Sequence, residues 1–180
     1  MPLDALISEA TRYAQVTMKR SGMLAPVMLA AAEQGMILFS PEQLSDTGAK
    51  DDFANKVRLI TASYGATSVV LIVESWVTRA RKDEPLDVNT PPSESLEREE
   101  MVVLIAEGQG GVHRTLMLPI HRLDNGKFWN LGDAVEMGAD TFSGRFAGLL
   151  PPKSADEKTR AMGKVLLKAM AVKLTALEKR

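Results

Sequence analysis

Cysteine is absent from the chain. That excludes disulfides, iron–sulfur clusters, Cys-ligated zinc and a thiol nucleophile, and it is the usage of a reducing compartment. Histidine occurs only twice, as His113 and His121. Eight residues apart on one extended strand, the two would stand about 26 Å from each other and could not share a metal ion. No apolar run is long; the longest, Val69–Val73, falls far short of the ~20 residues a membrane-spanning helix needs. The N-terminal stretch has no basic region before an apolar one and already carries Asp4 and Glu9, so no secretory signal is read there. A soluble cytoplasmic protein without membrane association is expected. Charge of one sign is not in excess: 22 Lys+Arg face 23 Asp+Glu, and aromatic residues make up 5%. Both figures argue against a broad phosphate-tracking surface, so nucleic-acid binding is unlikely.

The motifs that announce a chemistry are missing as well. There is no P-loop, no G-x-S-x-G elbow, no H-E-x-x-H and no EF-hand spacing. Gly108-Gln109-Gly110-Gly111 precedes His113 and a second apolar run rather than a helix, so it reads as a tight hairpin and not a dinucleotide fingerprint. Phe142-Ser143-Gly144 is the nearest approach to a serine nucleophile turn, and a weak one. No cofactor and no metal site are expected.

What is present is an ordinary globular composition over 180 residues, 45% apolar and 25% charged, which suits one domain. Residues 3–19 carry Leu6, Ala10, Tyr13 and Thr17 at helical spacing, and Ser21-Gly22 ends the pattern. Residues 26–40 are ambiguous between helix and hairpin. The Glu33-Gln34-Gly35 break between two apolar runs favours a hairpin. A second helix near 48–64 opens at Asp46-Thr47, with Gly65 at its end. The run 67–77 is the clearest strand, apolar enough to be buried on both faces. Strands Met101–Glu107 and Val112–Ile120 follow, with Pro119 implying an edge or a bulge, and a short strand at Lys127–Leu131. Between them and the preceding strand, residues 83–95 form a long polar loop, expected to be mobile. After Pro151-Pro152, Ser154 and Glu157 form a capping box, and the last helix runs to about 178 with Met162, Val165, Leu166, Ala169, Met170 and Leu177 on its core face.

The expected fold is therefore α+β: a single domain with the order α-β-β-α-β-β-β-α and a five-stranded, mainly antiparallel sheet flanked by helices. Residues 1–150 make the core, and the amphipathic helix of 151–180 packs on it. This element order resembles that of the profilin/roadblock-like group of small α+β domains. The resemblance covers the whole chain but involves no sequence motif. It implies a regulatory or scaffolding module that dimerises often, and it assigns no residue a role.

One constellation follows from the expected sheet. If Glu107 lies beside Val112 across the hairpin, Glu99 falls near Ile120 and Arg98 near His121. Glu74, Trp76, Arg79, Glu100, His121 and Arg122 then meet at one rim beneath the 83–95 loop. Glu74, Glu100 and His121 are the candidates for acid–base work, and Trp76, Arg79 and Arg122 for ligand binding. On the last helix Arg160, Lys164 and Lys168 form a basic stripe, a candidate surface for an acidic partner or for the acidic segment of a second protomer. The acids Glu94, Glu97, Glu99 and Glu100 around Arg98 read as a solvated strand entry.

These features favour a non-enzymatic interaction or regulatory module, with a protein partner or self-association. A small hydrolase-like enzyme using Glu74, Glu100, His121 and Arg122 is the alternative, and a weak nucleic-acid binder comes third. The charge is segregated: residues 83–107 hold eight acids and one base, and residues 151–180 hold eight bases and three acids.

Overall fold

The computed structural model describes residues 1–41, 44–78, 94–95, 98–137 and 145–177. Arg79, residues 83–93 of the expected loop, and Phe142-Ser143-Gly144 lie outside them. Among the described residues no helix is long and apolar enough to cross a membrane.

The described residues form one α+β domain with three helices and a mainly antiparallel sheet. Helix α1 (Leu3–Ser21) leads into strands β1 (Val27–Ala32) and β2 (Gly35–Phe39), then helix α2 (Thr47–Ser63). Strands β3 (Ser68–Thr78), β4 (Arg98–Gly108), β5 (Val112–Arg122), β6 (Phe128–Leu131) and β7 (Val135–Met137) follow. Helix α3 (Glu157–Ala169) and strand β8 (Thr175–Leu177) close the chain. The sheet runs β6-β5-β4-β3-β1-β2-β8, with β7 also on β5. Among the described residues it thus has eight strands, not the expected five. One of the further three, β6, is the short strand read at Lys127–Leu131, and the other two, β7 and β8, are three residues long. Segments that short carry no periodicity to read, and neighbouring backbone alone recruits them.

Residues 26–40 form the hairpin. Alanine-rich β1 has good helix formers, but it is buried on both faces between β2 and β3, and small apolar side chains suit that position. Helix α2 starts where expected because the Asp46 carboxylate accepts from the Ala49 N–H at 2.9 Å. The last helix departs from expectation twice. Its cap is Asp156, which accepts from the Thr159 N–H at 2.7 Å, so Ser154 and Glu157 make no capping box. It also stops at Ala169: Ala171 turns left-handed at φ 53°, and the chain returns as β8 on the open edge of β2.

Two apolar layers result. On one face α1 presses Leu6, Ala10, Ala14 and Met18 against alternate residues of the sheet, including Leu29, Val70, Ile72, Val102, Leu104 and Leu118. On the other face α2 lays Phe53, Val57 and Ile60 over Met28, Ala30, Val69 and Leu71. The helix α3 rests on α2 rather than on the sheet. Gly163 is its closest point: a Cβ there would stand 2.0 Å from the Ser63 Oγ.

The face that α3 buries is not the one its apolar spacing suggests. Gly163 and Leu167 point inward. Met162, Val165, Leu166, Ala169 and Met170, expected in the core, face solvent, with Met162 62% and Val165 68% exposed.

The hairpin register also differs by one residue. Gly110 and Gly111 adopt φ of 80° and 76°, giving a loop of Gln109–Gly111, so Gly108 pairs with Val112 and Glu107 with His113. Opposed residues share a face, so the shift sets Glu107 on the His113 side rather than the Val112 side. Pro119, which has no N–H to donate, stands between the stretch of β5 paired with β7 and the stretch paired with β6. A bulge follows at His121/Arg122.

Candidate functional site

On β3 the residues Val70, Ile72, Glu74 and Trp76 alternate onto the α1 face. The first two lie under α1. The helix ends at Ser21, so Glu74 and Trp76 emerge where its cover stops. Trp76 is directly opposite Glu100 on β4, which places Glu100 diagonal to Glu74. Arg122, from the far end of β5, reaches in beside them.

The resulting network is dense. Arg122 grips Glu100 with two bonds, Nε to Oε2 at 2.7 Å and Nη2 to Oε1 at 2.5 Å. Its Nη1 donates to the Gly22 carbonyl at 3.1 Å, and its Nη2 lies 3.8 Å from Glu74 Oε1. The other oxygen of Glu74 accepts from the Leu24 N–H at 2.7 Å. Burial holds the Glu74 carboxyl above its ordinary range; the bond from Leu24 opposes this and the neighbouring Glu100 adds to it. Glu100 is displaced the other way because the Arg122 guanidinium bonds to its charged form. Arg122 is in turn pushed up by Glu100. Met23, Leu24, Ala25, Glu74, Ser75, Trp76 and Glu100 line an open pocket of about 360 Å³ here. The Arg98 guanidinium lies 4.6 Å from the Trp76 ring centre.

Of the residues expected at the rim, Glu74, Trp76, Glu100 and Arg122 come together, and Arg79 lies outside the described residues. His121 does not join them. Adjacent to Arg122 on a strand, it projects to the opposite face, where its ring lies 6.5 Å from that of Trp129 and close against Gly132. Leu24 and Gly22 were not legible as part of the rim, because they meet β3 and β5 across 50 and 100 residues of chain with no local pattern to mark it.

A second titratable pair lies at the other end of the β4–β5 hairpin. Glu107, 2% exposed, accepts from the Leu150 N–H at 2.9 Å, and its Oε1 lies 4.0 Å from His113 Nδ1. That bond ties down the segment 145–150, which α2 holds from its other side through Arg58 and Thr61.

The basic stripe on α3 is partly spent inside the molecule. Arg160 pairs with Glu33 at 2.7 Å and lies against Gly65, while the Lys164 ammonium sits 5.1 Å from the Tyr64 ring centre. Lys168 is exposed. No group of three or more metal-ligating side chains occurs among the described residues. No family model, no curated protein and no solved structure matches this chain.

Proposed function

We propose that the domain is a non-enzymatic interaction module and that α3 is its docking element. The observation that supports this most strongly is the outward stripe Met162, Val165, Leu166 and Ala169, spaced i, i+3, i+4, i+7 on a helix whose opposite side is already packed on α2. That is the spacing of a seam, and an apolar seam left in water is costly without a partner to cover it. A photo-crosslinking residue at position 165, compared with one at the exposed Val16 of α1, tests the reading in cells. A discrete adduct at 165 and none at 16 is expected. The captured protein, identified and purified, should bind the chain and lose binding to Leu166→Asp. No adduct at 165, or the same adducts at both positions, contradicts the reading.

The rim supports a second reading, a small hydrolase acting through Glu74, Glu100 and Arg122. Its support is the opposite displacement of two neighbouring carboxyls beside a pocket, the arrangement that separates an acid from a base. His121 takes no part in it. A panel of chromogenic esters, phosphates and glycosides should then be turned over by the chain and not by Glu74→Ala. Equal rates for both sink this reading.

A further inference from the structure

Between the end of α1 and the turn that joins β5 to β6 lies an open pocket of about 510 Å³. It is independent of α3 and shares only Gly22 and Arg122 with the rim network. Lys19 and Arg20 enter it from the last turn of α1, and Lys127 enters from the β5–β6 turn. All three are exposed, and among the described residues none of their side chains pairs with an acid. Arg122 adds no net charge, because Glu100 neutralises it. Its Nη1 instead ties the two walls together, donating to the carbonyls of Gly22 at 3.1 Å and Gly126 at 3.4 Å. No acidic residue lines the pocket, and Asp124, the one acid of the turn, stands outside the lining.

Two bases at a helix end offset its exposed carbonyls, which accounts for Lys19 and Arg20 taken alone. It does not account for Lys127, which the fold brings to the same recess from another part of the chain. Nor is an unpaired arginine the habit of this surface: Arg12, Arg114, Arg145 and Arg160 each face a carboxylate. Like charges gathered round one recess repel, and a multiply charged anion relieves them. A phosphate group suits the arrangement, because its oxygens accept in several directions from ammonium and guanidinium donors that converge from two walls. Met18 and Phe128 line the pocket's apolar side. We infer that this pocket binds the phosphate group of a small molecule, held by Lys19, Arg20 and Lys127.

The test titrates the full chain with inorganic phosphate, pyrophosphate, adenosine monophosphate and citrate at matched ionic strength, following backbone amide shifts by NMR. At least one phosphate probe should give saturable shifts centred on Gly22, Gly126 and Lys127, and citrate should not. Tighter binding of the monophosphate ester than of inorganic phosphate identifies an organic phosphate as the ligand, and the reverse order identifies free phosphate or pyrophosphate; either supports the inference. Arg20→Ala with Lys127→Ala should weaken binding at least about tenfold and leave the melting temperature unchanged, since both side chains are exposed. Arg20→Lys with Lys127→Arg keeps the charges and should keep most of the affinity. Lys158→Ala with Lys168→Ala, which removes the same charge from α3, should leave it unchanged. No saturable shift at the pocket with any phosphate probe overturns the inference. So does citrate binding as tightly as the phosphates, or an equal loss in the α3 pair, since either reduces the effect to diffuse attraction between charges.

Discussion

Glu107 stands directly opposite His113 on the β4–β5 ladder, its Oε1 4.0 Å from the imidazole Nδ1, while its Oε2 accepts from the backbone of Leu150. A buried carboxylate is costly, so the useful question is which of its contacts holds the 145–150 segment. If the backbone bond does, Glu107→Gln keeps the acceptor and sheds a charge, and should cost less than about 1 kcal/mol or even stabilise. Glu107→Leu leaves the Leu150 N–H without its acceptor, and should cost about 1–3 kcal/mol with faster amide exchange at Leu150. Urea unfolding with native-state exchange checks both. Equal losses for the two variants would mean that the charge facing His113, not the acceptor, is what matters.

The rim carboxyls predict a pH profile. Glu74 is raised in the folded state, so its contribution is fully present below the ordinary value of 4.5 and is lost as pH rises through the folded value. Glu100 is lowered, so its contribution is present above 4.5 and is lost as pH falls through its folded value. Glu74→Gln, which still accepts from Leu24, should flatten the alkaline loss and leave neutral stability equal or higher. Glu100→Gln should lose about 1–2 kcal/mol at neutral pH and flatten the acid side. Denaturant midpoints across pH 3 to 8 measure this, and the opposite assignment of the two limbs contradicts it.

Gly163 sits mid-helix, where alanine would ordinarily be favoured by up to about 1 kcal/mol. Here the added methyl meets Ser63 and Leu59 of α2. Gly163→Ala should therefore destabilise by about 1–3 kcal/mol, and Ser63→Ala in the same chain should recover part of that loss. Thermal unfolding of the single and double variants decides it. A stabilised Gly163→Ala would mean that the two helices are not in close contact.

Ala171 holds a left-handed backbone at φ 53°, and its N–H closes on the Lys168 carbonyl at 3.0 Å to end α3. A side chain there costs about 1 kcal/mol relative to glycine. Ala171→Gly should raise stability by about that amount in chemical denaturation, although glycine is more flexible in the unfolded chain. A loss of stability contradicts the left-handed turn.

How far the sequence could be read follows from what each signal encodes. Long elements with strong periodicity, α1, α2 and β3, were legible to within a residue or two, as was the opening of α2 at Asp46-Thr47. The α3 stripe was legible as a face but not as an outward one. Periodicity groups Met162, Val165 and Leu166 together, yet says nothing of which side meets the body. The small Gly163, four residues before Leu167, was the signal of the packed side. The rim trio Glu74, Glu100 and Arg122 could be gathered because strand pairing converts spacing into proximity. Placing His121 with Arg122 ignored the alternation of adjacent strand residues. The Glu107–His113 pairing depended on a single residue of loop length between two glycines, which the sequence alone leaves open.

The central claim, that the outward stripe Met162, Val165, Leu166 and Ala169 of α3 is a docking seam, is tested most directly by the crosslinks from position 165. A discrete adduct at 165, none at 16, and a purified captured protein whose binding is lost in Leu166→Asp are the predicted result. No adduct at 165, or the same adducts from both positions, contradicts the claim.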